Sequence, residues 1–382
     1  MMRLMWVMTL VQGILAVRVF ARMARTATGT RIETVPDQER NAGTVSVLVP
    51  ALNEASRIEP CLAGLAAQGS AVREVIVADG GSTDATVDIV QQAALHDPRL
   101  RVVNAAPVPA DVNGKAHGLA VAAGQLNPAT EWVLVMDADV RPAAPLVGSL
   151  LAKAANENIQ ILSAATRQRL SGAAEGVVHP SMLATLVYRF GIPGHVVRRV
   201  EDVQANGQCL LVHRQALAAV GGFDAVLRAN AEDVTLVRML VSAGYPAGFF
   251  EAGDLVEVEM YQSWREAWDG WSRSLPMRDR FSTWRLPVGL AEVVMVQAVP
   301  LLLWPVLVAA LGPANPLTVV QGGLVVARYG VLAGMRRAYV SPPGTYWLSP
   351  IADLAVACRL IDMARRRRFT WRGRNLETGD RR

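Results

Sequence analysis

The sequence predicts a mixed α/β domain, with a Rossmann-like and mostly parallel sheet, attached to membrane-spanning helices. After residue 44, short runs rich in β-branched residues alternate with stretches of helical periodicity, and this alternation indicates parallel βαβ units with both sheet faces covered. The chain is also 52% hydrophobic and only 19% charged, whereas soluble proteins average about 25% charged residues. This composition argues against a disordered chain and against a purely cytosolic protein.

Four strands and three connecting helices are predicted in the first part of the domain. Each strand is a short apolar run, and each helix has apolar residues on one face. Ligands of such sheets bind beyond the carboxyl ends of the strands, so the polar residues that follow each strand are candidates for a site. The strands are predicted at 45–49, 75–78, 101–103 and 132–136, and the helices near 55–67, 83–94 and 114–125.

Two apolar segments in the C-terminal part predict membrane-spanning helices. Residues 286–311 contain only Glu292 and Gln297 as strongly polar side chains, and a bilayer core of about 30 Å needs roughly 20 apolar residues to cross it. Residues 317–335 form the second segment, despite Arg328 within it. We therefore expect the first segment to run outward and the second to return, within a membrane part that extends over 286–364.

The N-terminal residues 1–21 predict an uncleaved membrane anchor. The apolar run at 4–20 is not followed by the Ala-x-Ala pattern of a cleaved signal peptide, although a signal peptide is the alternative. Arg22 and Arg25 follow the run, and basic residues flank the cytoplasmic ends of membrane spans. The α/β domain would then face the cytoplasm.

The last apolar run, 346–364, predicts an interfacial or re-entrant helix instead of a further span. It contains Asp353, Arg359 and Asp362, and each charge costs about 2.5 to 3.5 kcal/mol at the middle of a bilayer. A span here would also carry the arginines that follow it to the outside, against the charge rule. We expect the basic tail 365–382 to lie in the cytosol beside anionic lipid and not to bind nucleic acid.

Residues 259–285 are predicted to form amphipathic helices. Trp264, Trp268, Trp271 and Leu275 recur at spacings of four, three and four, which places them on one helical face. A helix packed on the soluble domain would show the same pattern. A tryptophan-rich face directly before a membrane span is more typical of a helix in the membrane interface, and this is the location that we expect.

Acidic side chains follow three of the predicted strands. A single acid such as Asp84 can simply cap a helix, but three clusters at strand ends indicate a ligand. Two carboxylates two residues apart can hold a hard divalent cation, Mg²⁺ or Mn²⁺, whose other positions take diphosphate oxygens and water. The chain has neither GxGxxG nor GxxxxGK[ST], so a metal-bridged nucleotide diphosphate is favoured. The clusters contain Asn53 and Glu54, Asp79 and Asp84, and Asp137 and Asp139.

Five motifs occur in order between residues 45 and 233, namely VSVLVPALNE, VADGGSTD, NGKAHGLAVA, VLVMDADV and NAEDVTL. Together they resemble the motifs of family 2 glycosyltransferases with the GT-A fold. The resemblance implies a GT-A domain over 44–258 with Asp233 as the catalytic base. It also implies that Asp137 and Asp139 hold the metal ion, with Asp139 as the more direct ligand. By the same resemblance, the donor nucleotide is bound by Pro50, Asn53, Glu54, Asp79, Asp84, Lys115 and Asp137.

An inverting sugar transfer requires a base and a cation that neutralises charge. A carboxylate such as Asp233 can deprotonate the acceptor hydroxyl, and a divalent metal can neutralise the departing diphosphate. Without the motifs, Asp233 would be an acid favoured at a helix N-terminus, and Lys115, which opens a helix after Asn113, would be incidental. With the motifs, we expect catalysis from Asp233 and a phosphate contact from Lys115.

Further motifs concern the acceptor. ANGQC and VGGFD resemble the acceptor side of the family's site, while MYQ, GWSR and WRGR are similar to the bacterial carotenoid glucosyltransferase branch. This resemblance implies transfer of glucose, from UDP-glucose, to a carotenoid hydroxyl or carboxyl. Polyprenyl-phosphate, hopanoid and sphingolipid acceptors are the alternatives. The possible acceptor or diphosphate contacts are Asn206, Gln208, Glu232, Trp271, Arg273, Arg372 and Arg374.

The membrane segments and the strand-end carboxylates together predict a membrane-bound enzyme. A sugar-transfer domain gains nothing from membrane helices unless one substrate is confined to the bilayer. The expected partners are therefore a nucleotide diphosphate sugar and a lipid acceptor, and the expected location is the bacterial inner membrane, multi-pass, with a cytoplasmic catalytic domain. A catalytically inactive, membrane-tethered nucleotide-binding protein is the alternative, but it should have lost Asp137, Asp139 or Asp233, which are all present.

Overall fold

The computed structural model describes residues 2–36, 38–277, 279, 281, 284–366, 368–371 and 374–377. Its strands fall into one large sheet, one small sheet and a C-terminal hairpin. The strands are β1 (Val45–Ala51), β2 (Val72–Asp79), β3 (Leu100–Asn104), β4 (Trp132–Met136), β5 (Val140–Pro142), β6 (Ile161–Ala165), β7 (Arg167–Gln168), β8 (His195–Val197), β9 (Cys209–His213), β10 (Ala247–Glu251), β11 (Val256–Val258), β12 (Arg368–Trp371) and β13 (Arg374–Glu377).

Helices cover the large sheet and continue into the apolar parts of the chain. The α-helices are α1 (Met2–Thr26), α2 (Ile58–Ala66), α3 (Thr86–Ala94), α4 (Gly114–Ala123), α5 (Leu146–Glu157), α6 (Ala173–Phe190), α7 (Arg214–Ala219), α8 (Glu232–Ser242), α9 (Trp264–Ser274), α10 (Arg285–Glu292), α11 (Val299–Leu311), α12 (Pro316–Met335) and α13 (Asp353–Arg365). A π-helical turn, Val293–Ala298, joins α10 to α11, and 3-10 turns lie at Glu39–Asn41, Val200–Asp202, Gly222–Val226, Gly253–Leu255, Arg336–Ala338 and Gly344–Ala352.

The large sheet has eight strands in the order β3-β2-β1-β4-β9-β6-β10-β8. Strands β3, β2, β1 and β4 are mutually parallel, as are β6 and β10, whereas β9 and β8 run antiparallel to their neighbours. Strand β1 has β2 on one side and β4 on the other, so the chain reverses its direction of winding there. Such a switch point opens a crevice at the carboxyl ends of the strands. The predicted mixed α/β class with a mostly parallel sheet is confirmed.

Helices bury both faces of the sheet. Successive side chains along each strand point to opposite faces, so each strand contributes to both hydrophobic clusters. Val47 and Val49 of β1 belong to one hydrophobic cluster, and Leu48 between them belongs to the other. Helix α2 covers the first face with Ile58, and α4 covers the second with Leu119. This arrangement fixes the strand ends that carry the polar residues of the site.

The element boundaries differ from the prediction near the first two strands. Strand β2 includes Asp79, which pairs with Ala51 of β1 and Asn104 of β3, whereas the sequence placed Asp79 after the strand. Helices α2 and α3 begin at Ile58 and Thr86, later than predicted. The reason is that the residues before each helix form loops held by hydrogen bonds between side chains and the backbone.

Three helices are long and apolar enough to cross a membrane within the described residues. They are Met5–Thr26, Arg285–Leu311 and Pro316–Ala338. The second is continuous through α10, the π-helical turn and α11. The run predicted as interfacial or re-entrant is not among them and consists of a 3-10 turn followed by α13.

Polar side chains inside these apolar helices bind one another. The Gln12 amide of α1 donates to the main-chain carbonyl of Met295 at 2.6 Å and to Gln321 of α12 at 3.1 Å. Glu292 accepts hydrogen bonds from Arg18 and Arg22 of α1. Because each polar group in such a setting needs a partner, these contacts join α1 to the two C-terminal helices.

Arg328 of α12 forms the most buried ion pair of the helical part, with Asp353 of α13. The two side chains are 2% and 0% exposed, and Arg328 Nε lies 2.7 Å from Asp353 Oδ2. Ser181 of α6 and Gln297 of the π-helical turn also donate to Asp353 Oδ1. Asp353, one of the three charges that argued against a span at 346–364, is therefore paired inside the helix bundle.

The tryptophan-rich face of α9 packs mainly on protein. Trp271 stacks on His179 of α6 with ring centroids 4.4 Å apart, Leu275 is 2% exposed, and Trp268 packs against the cluster formed by α1, α6 and the C-terminal helices. Only Trp264 of the four is well exposed, at 41%. Packing therefore accounts for most of the periodicity, and an interfacial location of α9 stays a prediction.

We predict that Arg328→Leu lowers the free energy of unfolding by about 3 to 5 kcal/mol, because it leaves a buried carboxylate without its cation. Thermal unfolding of the detergent-solubilised protein measures the effect. Replacing both partners, Arg328→Met with Asp353→Leu, should recover part of the loss. Arg366→Ala, which breaks the exposed pair with Asp362, should leave the midpoint unchanged. A parent-like midpoint for Arg328→Leu would contradict this role.

Candidate active site

The loops after β1 and β2 are hydrogen-bonded to each other at the switch point. Asn53 has a left-handed backbone with φ of 55°, and its Oδ1 accepts a hydrogen bond from the Thr83 N–H at 2.8 Å. The Asn53 N–H donates to Ser82 Oγ at 2.9 Å. Pro50 lies in β1 just before this loop. The asparagine predicted to bind the nucleotide therefore also shapes the loop that would contact it.

The carboxylates of Asp79 and Asp84 each accept hydrogen bonds from backbone N–H groups of the surrounding loops. Asp79 accepts hydrogen bonds from the N–H groups of Gly81 and Ser82, both at 3.1 Å. Asp84 accepts from the N–H of Ala55 in the neighbouring loop at 3.1 Å. These contacts give both residues a structural role, and their contact with a nucleotide stays a prediction.

Lys115 lies between two carboxylates from different parts of the chain. Its Nζ is 2.7 Å from Asp137 Oδ1, just after β4, and 3.1 Å from Glu232 Oε1, at the start of α8. Asn113 caps helix α4 by accepting from the Lys115 N–H, and its amide nitrogen donates to Glu232 Oε2 at 3.2 Å. Asn113 and Lys115 thus connect Asp137, at the end of β4, to the start of α8.

The charges at this point are unbalanced within the described residues. Burial opposes the charge of Lys115, but Asp137, Glu232 and Asp233 together raise its pKa above the usual range. Burial also raises the pKa of Asp137, although Lys115 opposes this. Three carboxylates face one ammonium group, which favours binding of a further cation.

Asp139 has the properties expected of a metal ligand. Its Oδ1 atom is buried and has no hydrogen-bond partner, and burial, with the nearby charges of Asp137 and Glu54, raises its pKa to about 7. A bound divalent cation would satisfy this oxygen. No cluster of three or more histidine, cysteine, aspartate or glutamate side chains able to hold a metal occurs in the described ranges. The ligands other than Asp137 and Asp139 would therefore be diphosphate oxygens and water, as is usual for Mg²⁺.

Glu54 is held by Arg57, a residue that the sequence reasoning missed. The carboxylate of Glu54 is 2.9 Å from an Arg57 guanidinium nitrogen, and Arg57 also donates to the carbonyl of Met260 at 3.0 Å. The positive charge of Arg57 also lowers the pKa of Asp139, against the effect of burial. The spacing of three between Glu54 and Arg57 was the available signal for this pair.

Asp233 is positioned by the loop that precedes β9. Its Oδ2 accepts a hydrogen bond from the Gly207 N–H at 2.7 Å, and its Oδ1 accepts from the N–H of Val234. Burial and the neighbouring Glu232 raise the pKa of Asp233 to about 6, while Lys115 lowers it. A Cβ atom at Gly207 would lie 2.9 Å from Lys115 Nζ and 3.0 Å from Asp233 Oδ2. A larger residue at this position would therefore displace Lys115 Nζ or Asp233.

Asn206 and Gln208 form a hydrogen-bonded pair beside Asp233. The Asn206 amide donates to Gln208 Oε1 at 2.8 Å, and Thr166 Oγ1 donates to the same oxygen at 2.6 Å. The main-chain carbonyl of Gln208 accepts from the Asp137 N–H. The two predicted acceptor contacts therefore lie in one network that connects Asp137, a predicted metal ligand, to Asp233, the predicted base.

A cavity of about 1210 Å³ begins at these residues and extends to the apolar helices. Lys115, Asp137, Glu232 and Asp233 line its polar end, and Trp271 lies in its wall. The apolar end is lined by Leu183, Leu186 and Val187 of α6 and by Gly330, Val331 and Gly334 of α12.

Three of the predicted contacts are not tested by this geometry. Arg372 lies outside the described residues. Arg273 and Arg374 belong to α9 and β13, but their side chains are also outside the description.

The sequence was compared with known proteins. Residues 46–218 match the family described as Glycosyl transferase family 2. The succinoglycan biosynthesis protein ExoA of Rhizobium meliloti (strain 1021) is 30% identical over 209 residues, which are 52% of this chain and 58% of that protein. The chain therefore covers less than two thirds of this relative's length.

Two solved structures are similar. The mannosyltransferase PcManGT from Pyrobaculum calidifontis, in complex with GDP-Man and Mn²⁺, has a TM-score of 0.53 at 20% identity, covering 93% of this chain and 99% of that one. Glucosyl-3-phosphoglycerate synthase from Mycobacterium tuberculosis has a TM-score of 0.40 at 21% identity, covering 72% of this chain and 83% of that one. Residues 46–218, just under half of this chain, thus match the family 2 glycosyltransferases, as the motifs predicted, and the domain has the GT-A fold, while the carotenoid branch stays a prediction.

We predict that Asp139→Asn abolishes tight binding of Mn²⁺ in the presence of a nucleoside diphosphate, because an amide supplies no negative charge to the cation. Electron paramagnetic resonance of free Mn²⁺ measures this without any turnover. Asp88→Asn, at an exposed position of α3, is the matched control and should bind like the parent. Parent-like Mn²⁺ affinity in the Asp139 variant would exclude it as a ligand.

Proposed function

We propose that the protein is an inverting glycosyltransferase that moves a sugar from a nucleotide diphosphate sugar to a lipid acceptor at the cytoplasmic face of a bacterial inner membrane. The observation that carries this proposal is the cavity, whose polar end contains Asp233 and whose apolar end is lined by α6 and α12. A single space that joins a carboxylate base to apolar helices suits an acceptor with a reactive hydroxyl and an apolar body.

The donor end has the chemistry that a nucleotide sugar requires. The mannosyltransferase of similar fold is in complex with GDP-Man and Mn²⁺, which supports the same class of donor and cation here. Asp137 and Asp139 would hold the cation, which neutralises the charge that develops on the leaving diphosphate. The loops after β1 and β2, which are hydrogen-bonded to each other, would form the wall against which the nucleotide lies.

Asp233 is suited to accept the proton of the acceptor hydroxyl. Its hydrogen bonds with the N–H groups of Gly207 and Val234 fix the carboxylate, and a pKa near 6 leaves it ionised at neutral pH. A base is most effective when its pKa lies near the working pH. The position at the start of α8, which also suits a simple helix-terminal acid, stabilises the ionised form.

Lys115 has a positioning role in this proposal. It is paired with Asp137 and Glu232, so its charge holds the donor-side carboxylate and the start of α8 at a fixed separation. A direct contact with phosphate, as the sequence predicted, would require the ammonium group to share these partners with the donor.

Within the lipid class, the resemblance of the sequence favours glucose and a carotenoid hydroxyl or carboxyl, with hopanoid, sphingolipid and polyprenyl-phosphate acceptors as alternatives. The Rhizobium relative, a succinoglycan biosynthesis protein, favours a second candidate role, the building of a polysaccharide. An inactive nucleotide-binding protein is disfavoured because the base and both candidate metal ligands are present and lie close to Lys115.

Product analysis tests the proposal directly. Membranes containing the protein are incubated with Mn²⁺ and with radiolabelled UDP-glucose, UDP-GlcNAc or GDP-mannose in turn, and the lipid extract is examined by mass spectrometry. A labelled lipid supports the proposal and identifies the acceptor. Label found only in water-soluble polysaccharide would favour the second role, and release of the free sugar alone from every donor would contradict lipid transfer.

We predict that Asp233→Asn reduces transfer at least a hundredfold while nucleotide binding persists, because the amide cannot take the proton. Transfer is measured with the labelled donor, and binding is measured by calorimetry with the nucleoside diphosphate and Mn²⁺. Asp88→Asn, at an exposed position of α3, provides a carboxylate control outside the cavity lining. Near-normal turnover of the Asp233 variant would refute its assignment as base.

We also predict that kcat/KM rises with pH up to about 6 and is flat above it. Asp233 has its pKa raised to about 6, so below that value it is protonated and cannot accept a proton, and the rate should fall about tenfold per pH unit. Saturating Mn²⁺ keeps Asp139 ionised over the range, and donor affinity measured at each pH separates binding from catalysis. A flat profile down to pH 5 would contradict the assignment.

A further inference from the structure

The first helix forms part of the wall of the cavity. Phe20 and Met23 of α1 and Ala27 directly after it line the same space as Asp233. The spacing of three and four places these residues along one stripe of the helix. This stripe precedes the family-matched segment, which begins at residue 46, so it is a part of the cavity that the family comparison does not reach.

Helix α1 has a protein-facing side and an outward side. Ala16 and Val19 are buried in the cluster with α6 and the C-terminal helices, and Phe20 and Met23 pack against that cluster. Ile14 is 57% exposed and Val7 is 58% exposed on the other side. The apolar outward side is what a membrane-spanning helix requires, and the inward side reaches the cavity.

The end of α1 is held at a fixed place by polar contacts. Arg22 donates to Glu292 at 2.9 Å and to the main-chain carbonyl of Tyr188 on α6. Thr26 Oγ1 accepts from the N–H of Ile192, just after α6. These contacts hold the cavity stripe against α6.

A close approach of two glycines continues this connection. The Thr30 N–H donates to the carbonyl of Gly194 at 3.0 Å, and a Cβ atom at Gly29 would lie 2.7 Å from the Gly194 Cα atom. A helix that served only as an anchor would not need such a fit to the loop that follows α6. The stripe is therefore a fixed wall of the cavity.

We propose that α1 is part of the acceptor site, and that Phe20 and Met23 contact the apolar chain of the lipid and select which lipid is used. This inference rests on the proposed function, because it assumes a lipid in the cavity. The occupant follows from continuity, since the stripe belongs to the same space as the base and lies on a helix that is apolar enough to span the bilayer. A water-soluble acceptor would gain nothing from these side chains.

The experiment compares two variants of the stripe with one of the outward side, in the full-length protein in native membranes. Met23→Trp fills the cavity, and we expect it to reduce transfer of labelled sugar to the lipid at least tenfold through a higher acceptor KM. Phe20→Ala widens the cavity and should shift the chain-length distribution of the labelled lipids. Ile14→Trp places the same bulk on the opposite side of α1, nine residues or about two and a half turns from Met23, and should transfer like the parent.

Nucleotide binding in the presence of Mn²⁺ is measured for every variant and should be unchanged, which shows that the domain is folded. If Met23→Trp and Phe20→Ala both transfer sugar to the same lipids with the parent's KM, α1 is an anchor only and the inference is wrong. If Ile14→Trp is impaired as strongly as Met23→Trp, the effect is one of helix packing, which also overturns it. A parent protein that labels no lipid would refute the proposed function itself.

Discussion

The ion pairs of Lys115 are the interaction on which the site depends. One ammonium group binds Asp137 after β4 and Glu232 at the start of α8, and the Asn113 cap holds the helix that carries it. The residues that it joins lie far apart in the chain, so their separation is set by this contact and by the sheet. A charge-assisted bond in a buried setting is short and directional, and Asp233 next to Glu232 takes its position from the same contact.

The arrangement leaves negative charge in excess around Asp137 and Asp139. A buried carboxylate oxygen without a partner is costly unless a cation binds it, which explains why burial raises the pKa of Asp139 so far. A divalent ion with a diphosphate would restore the balance, because the ion compensates the aspartates and the diphosphate compensates the ion. Burial and the neighbouring Glu232 raise the pKa of Asp233 to about 6, which suits the base of the proposed function. In that function, Asp137 on the donor side and the proposed base Asp233 both interact with the charge of Lys115.

The sequence predicted what is encoded locally. Strand β4 was predicted at its observed bounds, 132–136, because an apolar run is followed at once by Asp137 and Asp139. The loops that carry Asn53 and Asp84 meet because they follow neighbouring parallel strands. The partners of polar residues in the apolar helices could not be predicted. Gln12 and Gln321 bind each other across 309 positions, and nothing near either residue indicates its partner. The tryptophan stripe of α9 was ambiguous for the same reason, since His179, on which Trp271 stacks, lies on another helix.

Helix α6 joins the three long apolar helices to the α/β domain. It lies within the domain sequence, between β7 and β8, yet it packs against α1, α9, α10, α12 and α13. Its residues therefore line the apolar end of the cavity while the adjoining loops reach α1 and the edge of the sheet. Under the proposed function, this packing would set the depth at which the hydroxyl of a lipid acceptor meets Asp233.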